Sequence, residues 1–154
     1  MITSVFKKST PLNIALVVVL LLIFFFMYQS RDLFTTIFTN GFSKTAILVL
    51  LLLTSFFLVN FTVKKNNLTK NSSYTILFFL LFLLVFPSIF NNLNLLFANF
   101  FLLLAIRRLI SLQTLKAPKE KIFDASIWIF IASLFHFWSI LFVLLFYISI
   151  FFHV

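Results

Sequence analysis

The sequence predicts an all-α fold, a polytopic bundle of about five transmembrane helices, and three observations predict it. Hydrophobic residues make up 63% of the 154 residues and charged residues only 10%, against roughly half and a quarter in a soluble domain. The apolar residues are gathered into long blocks, with the charges confined between them. The basic residues, finally, concentrate in alternate connections. A soluble core of this size leaves much of its surface in water and cannot hide so much apolar area. Lipid is the solvent that suits it.

A spanning helix needs about 20 mostly apolar residues, and the chain offers such blocks in order. The first covers about residues 12–28. Thr10 suits the N-cap, and Pro11 the first helical position, where its missing N–H costs nothing. The run is too long for a signal peptide and no small-residue cleavage site follows it. The second block, residues 45–63, ends sharply at Lys64-Lys65, and a polar linker leads to Ser73. The third, residues 74–90, carries Pro87 near its far end, where a kink or a helix stop is expected. Asn91, Asn92 and Asn94 make a turn too short to hold a domain. The fourth, residues 93–110, ends in Arg107 and Arg108, whose long side chains snorkel to the interface. A basic linker with Lys116, Lys119, Glu120 and Lys121 precedes the last block, residues 125–152. One tilted helix accommodates that block and is the preferred reading. A helix interrupted near Ser133–Ser139 is the alternative, which raises the count to six.

Orientation follows from the positive charges. With the N-terminus in the cytoplasm, ten of the 12 Lys and Arg residues face inside, and only Arg31 and Lys44 face outside. Five spans leave the C-terminus outside; a broken last segment that turns back places it inside. The chain is expected to form one transmembrane domain over residues 1–154. The sequence ends within an apolar run, so either its terminus sits at the interface or it is the N-terminal part of a longer design.

The net charge of +9 does not point to nucleic acid, because the lysines and arginines flank apolar blocks instead of forming one face. Basic residues facing anionic lipid explain it, and Lys64, Lys65, Arg107 and Arg108 are the expected headgroup contacts. With no cysteine, the chain has no disulfide, thiolate metal site or thiol nucleophile. Phenylalanine (26 residues) fills lipid-facing places that leucine also fills, as in an AT-rich genome, and carries no functional weight.

The connection from Ser30 to Lys44 is the most informative. Leu33, Phe34, Ile37 and Phe38 fall on one helical face and Thr35, Thr36, Thr39 and Asn40 on the other. Ser30 or Asp32 suits its start, and Gly41, the one glycine, suits its C-terminal stop. The pattern is that of a short helix lying flat in the outer interface. Asp32 is the weak catalytic candidate, as a base or a cation holder beside a phospholipid. Its simpler role is to cap this helix or pair with Arg31, since acid–base and metal sites converge several groups.

His136, Ser133 and Asn99 are the polar intramembrane candidates. An ionisable residue within a span is a functional hypothesis by default, with Ser133 and Ser139 one turn to either side of His136. A neutral imidazole bonded to another helix is the simpler alternative. Asn60, Thr54, Ser55 and Ser88 offer inter-helix hydrogen bonds. Ala125, Ser126, Ala132 and Ser133 place small residues on one face for close packing. No metal site and no cofactor is expected: glycine-rich phosphate loops, nucleophile elbows and His-rich zinc motifs are all missing. The triplets at Asn60, Asn67 and Asn71 match a glycosylation pattern by chance, on the expected cytoplasmic side.

The opening Met1-Ile2-Thr3-Ser4-Val5-Phe6-Lys7-Lys8-Ser9-Thr10-Pro11-Leu12-Asn13, with Arg107-Arg108-Leu109-Ile110-Ser111-Leu112 and Phe123-Asp124-Ala125-Ser126, resembles an uncharacterised family of Bacteroidota polytopic inner-membrane proteins. The resemblance covers the whole chain and implies a bacterial inner membrane, but no activity. A fainter likeness is to GT-C polyprenyl-phosphate-sugar transferases, which have an interfacial helix in the first outer loop and an acidic residue after the first span. Asp32 is the matching position. That class also shows a second acidic residue and a large outer domain, which this chain lacks. The expected function is therefore a non-catalytic subunit or scaffold of a membrane complex, with lipid and a membrane protein as partners. The alternatives are a reduced lipid-linked sugar transferase and, third, a small-solute transporter component.

Overall fold

The computed structural model describes residues 10–29, 41–69 and 72–153, and these are mostly helical, without strands among them. Three helices are long and apolar enough to cross a membrane, within Pro11–Tyr28, Lys44–Lys65 and Leu93–Thr114. Two shorter apolar helical stretches, Tyr74–Val85 and Phe137–Phe152, accompany them. The chain divides into two units, residues 1–93 and 94–154.

The N-terminal unit holds α1 (Pro11–Gln29), α2 (Gly41–Lys65), α3 (Tyr74–Val85) and a short 3-10 helix, Pro87–Asn91. Thr10 starts α1 as its sequence position suggests: its Oγ1 accepts the Asn13 N–H at 3.4 Å, and its carbonyl accepts the N–H groups of Asn13 and Ile14. One stripe of α1 is buried, Asn13, Val17, Leu21 and Phe25, at the four-residue spacing of a single helix face. α2 buries Leu48, Leu51, Leu52, Ser55 and Phe56 in the same way. α3 packs against both α1 and α2 and contributes Ile76, Leu80 and Leu83.

Pro87 acts as a stop. α3 ends at Val85, Phe86 takes φ −120° and ψ 69°, and the chain continues as the 3-10 turn, because the proline ring disfavours helix at the residue before it. The expected 74–90 span is thus a shorter α-helix followed by a tighter segment. That segment places Phe90, 2% exposed, edge-on to Phe25 at 6.0 Å and beside Tyr28. Gly41 is the first residue of α2, not the stop of the helix expected before it. The rest of that expected interfacial helix lies outside the described residues.

The C-terminal unit is made of α4 (Leu93–Ile110), a 3-10 turn (Ser111–Thr114), α5 (Pro118–Phe135), a 3-10 segment (Phe137–Phe142) and α6 (Val143–His153). α4 has the bounds read from the sequence, and its first residue is the last of the N-terminal unit. α5 begins seven residues before the expected 125, since Pro118 sits in its first turn with Glu120 beside it, an arrangement that favours a helix start. α4 and α5 meet through stacked rings: Phe97 on Phe135 at 5.1 Å, and Phe101 on Trp128 and Phe135 at 5.7 Å each.

The preferred single helix over 125–152 is not what forms. The backbone leaves the helix at His136 (φ −145°, ψ 108°), inside the Ser133–Ser139 window of the alternative reading. The chain then doubles back. α6 packs along α5 and against the Ser111–Thr114 turn, and Ser149 Oγ donates to the Leu109 carbonyl at 3.3 Å. The last apolar block is a helical hairpin.

Candidate functional site

Polar groups in the apolar helices are costly unless hydrogen-bonded, so where they are spent decides what is left for chemistry. Thr54 Oγ1 donates to the Leu50 and Leu51 carbonyls at 2.9 and 3.0 Å, and Thr62 Oγ1 to Leu58 at 2.8 Å. Ser126 and Ser133 donate to Phe123 and Phe130, each at 2.7 Å. These hydroxyls serve their own helices, and Thr54 is therefore not an inter-helix donor. Ser55 is fully buried and its Oγ has no hydrogen-bond partner.

In the N-terminal unit the polar groups gather where α2 ends. Asn67 adopts a left-handed conformation (φ 50°), which asparagine tolerates. Its N–H reaches the Lys64 carbonyl and the Leu68 N–H the Val63 carbonyl, at 3.3 and 3.1 Å. This is a Schellman closure with asparagine in the usual glycine position. Asn66 Nδ2 adds a bond to the Thr62 carbonyl at 2.9 Å. Lys65 Nζ lies 5.4 Å from the centre of the Phe61 ring. Lys64, one position earlier, lines a pocket of about 330 Å³ with Asn60, Asn67, Thr69, Ser73 and Thr75. Ser73, 3% exposed, precedes α3 without capping it by its side chain.

The C-terminal unit has a second polar junction, at the end of α4. Arg108 pairs with Asp124 at 2.8 Å. Lys121 Nζ donates to the Ser111 carbonyl at 2.6 Å and to Thr114 Oγ1 at 2.8 Å. Ser111 Oγ donates to the Arg108 carbonyl and Thr114 Oγ1 to that of Ser111. Carbonyls left open by the end of α4 are thus met by a cation and three hydroxyls, Ser149 included, as helix C-termini favour. The sequence places Arg108 at lipid headgroups; the structure pairs it with Asp124 on another helix, sixteen positions on.

His136 is half-buried at the hairpin break, its N–H bonded to the Ala132 carbonyl and its carbonyl to the Ser139 N–H. Asn99 is half-buried on α4. Among the described residues no hydrogen bond joins Asn99, Ser133 and His136, so the three do not form one site. Ala125 and Ala132 are fully buried within the unit's packing, Ala125 against Leu109 and Leu112. Among the described residues no three His, Cys, Asp or Glu side chains converge on a metal position. Asp32 lies outside the described residues.

No family model, curated protein or solved structure matches the chain. What fold and site define together is a class: an all-helical membrane protein with polar junctions after α2 and after α4.

Proposed function

We propose that the chain is a non-catalytic subunit or scaffold of a membrane complex, held in a bacterial inner membrane. One observation carries this reading: the hydroxyls of Thr54, Thr62, Ser126, Ser133 and Ser149 are engaged with backbone carbonyls, where they hold helices and helix ends. At the same time no more than 44% of any of the three long apolar segments is buried within the chain. The rest of their surface is open to lipid and to a second membrane protein.

The orientation proposed has the N-terminus in the cytoplasm, because ten of the 12 basic residues then face inside. With the last block folded back on itself, the C-terminal end is proposed on that side as well, for six crossings in all. Cysteines introduced at Lys65 and Lys119 should react with an impermeant maleimide only after the membrane is opened; reaction in intact cells overturns this topology.

The function is tested by gentle native purification of the tagged chain followed by mass spectrometry. A stoichiometric membrane-protein partner is the expected result. Recovery of every copy as a lone monomer at native expression level would sink the subunit reading.

A further inference from the structure

We propose that the pocket between the end of α2 and the start of α3 binds a phosphate group, either that of an anionic phospholipid or a free phosphate. This goes beyond a scaffold role. Charge comes first. Asp32 is the only acidic residue in residues 1–93, and the pocket lining holds no carboxylate to neutralise Lys64 or attract a metal cation. Among the described residues Lys64 is the one charged residue of that lining, and its sign suits an anion.

The rest of the wall suits the same ligand. Asn60 contributes a side-chain amide and Thr75 a hydroxyl to the lining, both of them donors to phosphate oxygens, while the Thr69 hydroxyl is bonded to the Ser72 carbonyl at 3.5 Å. The first turn of α3 adds the positive end of a helix dipole on the same side. Lys65 provides the internal contrast. It carries the same charge one residue away, but lies over Phe61 and does not line the pocket. Depth agrees as well, since Lys64 ends a helix long enough to cross the hydrocarbon, where lipid phosphates lie.

The test uses the full chain in a neutral maltoside micelle. Binding is counted by native mass spectrometry during titration with phosphatidylglycerol, with phosphatidylcholine and inorganic phosphate as separate arms. Saturable binding of one phosphatidylglycerol is expected, weakened about tenfold by Lys64→Gln, as for loss of one charge-assisted bond. Lys64→Arg should restore it, and Lys65→Gln should change it less than about twofold. Displacement by inorganic phosphate identifies free phosphate as a ligand; lack of displacement identifies the lipid headgroup. Equal weakening by Lys64→Gln and Lys65→Gln, or no effect of Lys64→Gln, overturns the proposal, because binding then follows net charge and not the pocket.

Discussion

Ser149 donates its hydroxyl proton to the carbonyl of Leu109 across 40 positions of sequence, and that bond holds the tip of α6 beside the end of α4. Gln113 and Phe152 line one groove of about 450 Å³ there. A straight helix over residues 118–153 would put its far end roughly 50 Å away. The chain has no cysteine of its own, so spin labels on the thiols introduced by Gln113→Cys and Phe152→Cys report this directly. A distance below about 20 Å is expected; one near the straight-helix length rules out the hairpin.

Lys121 should matter more than Asp124. The side chains of the Arg108–Asp124 pair are 44% and 36% exposed, and such pairs contribute about 0.5 kcal/mol or less. Lys121 satisfies a part-buried carbonyl, and a charged donor of this kind contributes about 1.5–3 kcal/mol. Lys121→Met is therefore expected to lower stability against mixed-micelle denaturation by more than Asp124→Asn. The reverse order would show that the ion pair, not the lysine, closes α4.

The turn between α4 and α5 carries strain that a glycine would relieve. Leu115 and Ala117 hold φ of 51° and 47°, where a Cβ costs about 1–2 kcal/mol. Ala117 also begins α5 without a side-chain cap. Ala117→Gly should raise stability by a few tenths to about 1 kcal/mol, the gain being trimmed by glycine's freedom in the unfolded chain. Destabilisation of similar size would mean that the alanine methyl is packed.

Phe90 and Phe82 make a matched pair of controls. Phe90 is 2% exposed and Phe82 is 70% exposed. Truncating a buried phenylalanine to alanine costs about 3–5 kcal/mol in soluble cores, and Phe90→Ala should fall at the low end because lipid removes much of the transfer term. Phe82→Ala should cost under about 1 kcal/mol. Equal effects would place the ring of Phe82 against a partner.

The parts of the fold legible in the sequence are those with a local chemical cause. Thr10-Pro11, Pro87 and the Arg107-Arg108 end of α4 each act within one turn of themselves. The break at His136 has no proline or glycine behind it. Its local signs are Ser133, bonded back to its own helix, and the low helix propensity of Phe135-His136-Phe137-Trp138. The start of α5 is readable from Pro118, but the charges of Lys119–Lys121 read as a polar linker and hide that the helix runs through them. The Arg108–Asp124 pair and the Ser149 bond join distant segments, and composition and periodicity do not encode such meetings. The pocket at Lys64 belongs with them: the lysine is visible in the sequence, but its placement opposite Ser73 and Thr75 depends on the path of the turn.

The stop at Pro87 sets a length. The 12 residues of α3 cover roughly 18 Å, and the five of the 3-10 turn add about 10 Å, against some 30 Å of hydrocarbon. Together they come within about 2 Å of that thickness, with the exposed Asn91 and Asn92 at one end. A shortfall of about 2 Å costs on the order of a kcal/mol or less. The tighter winding after the proline is what recovers the length: the same five residues in an α-helix would rise only about 7.5 Å, so the break lengthens the segment that it interrupts.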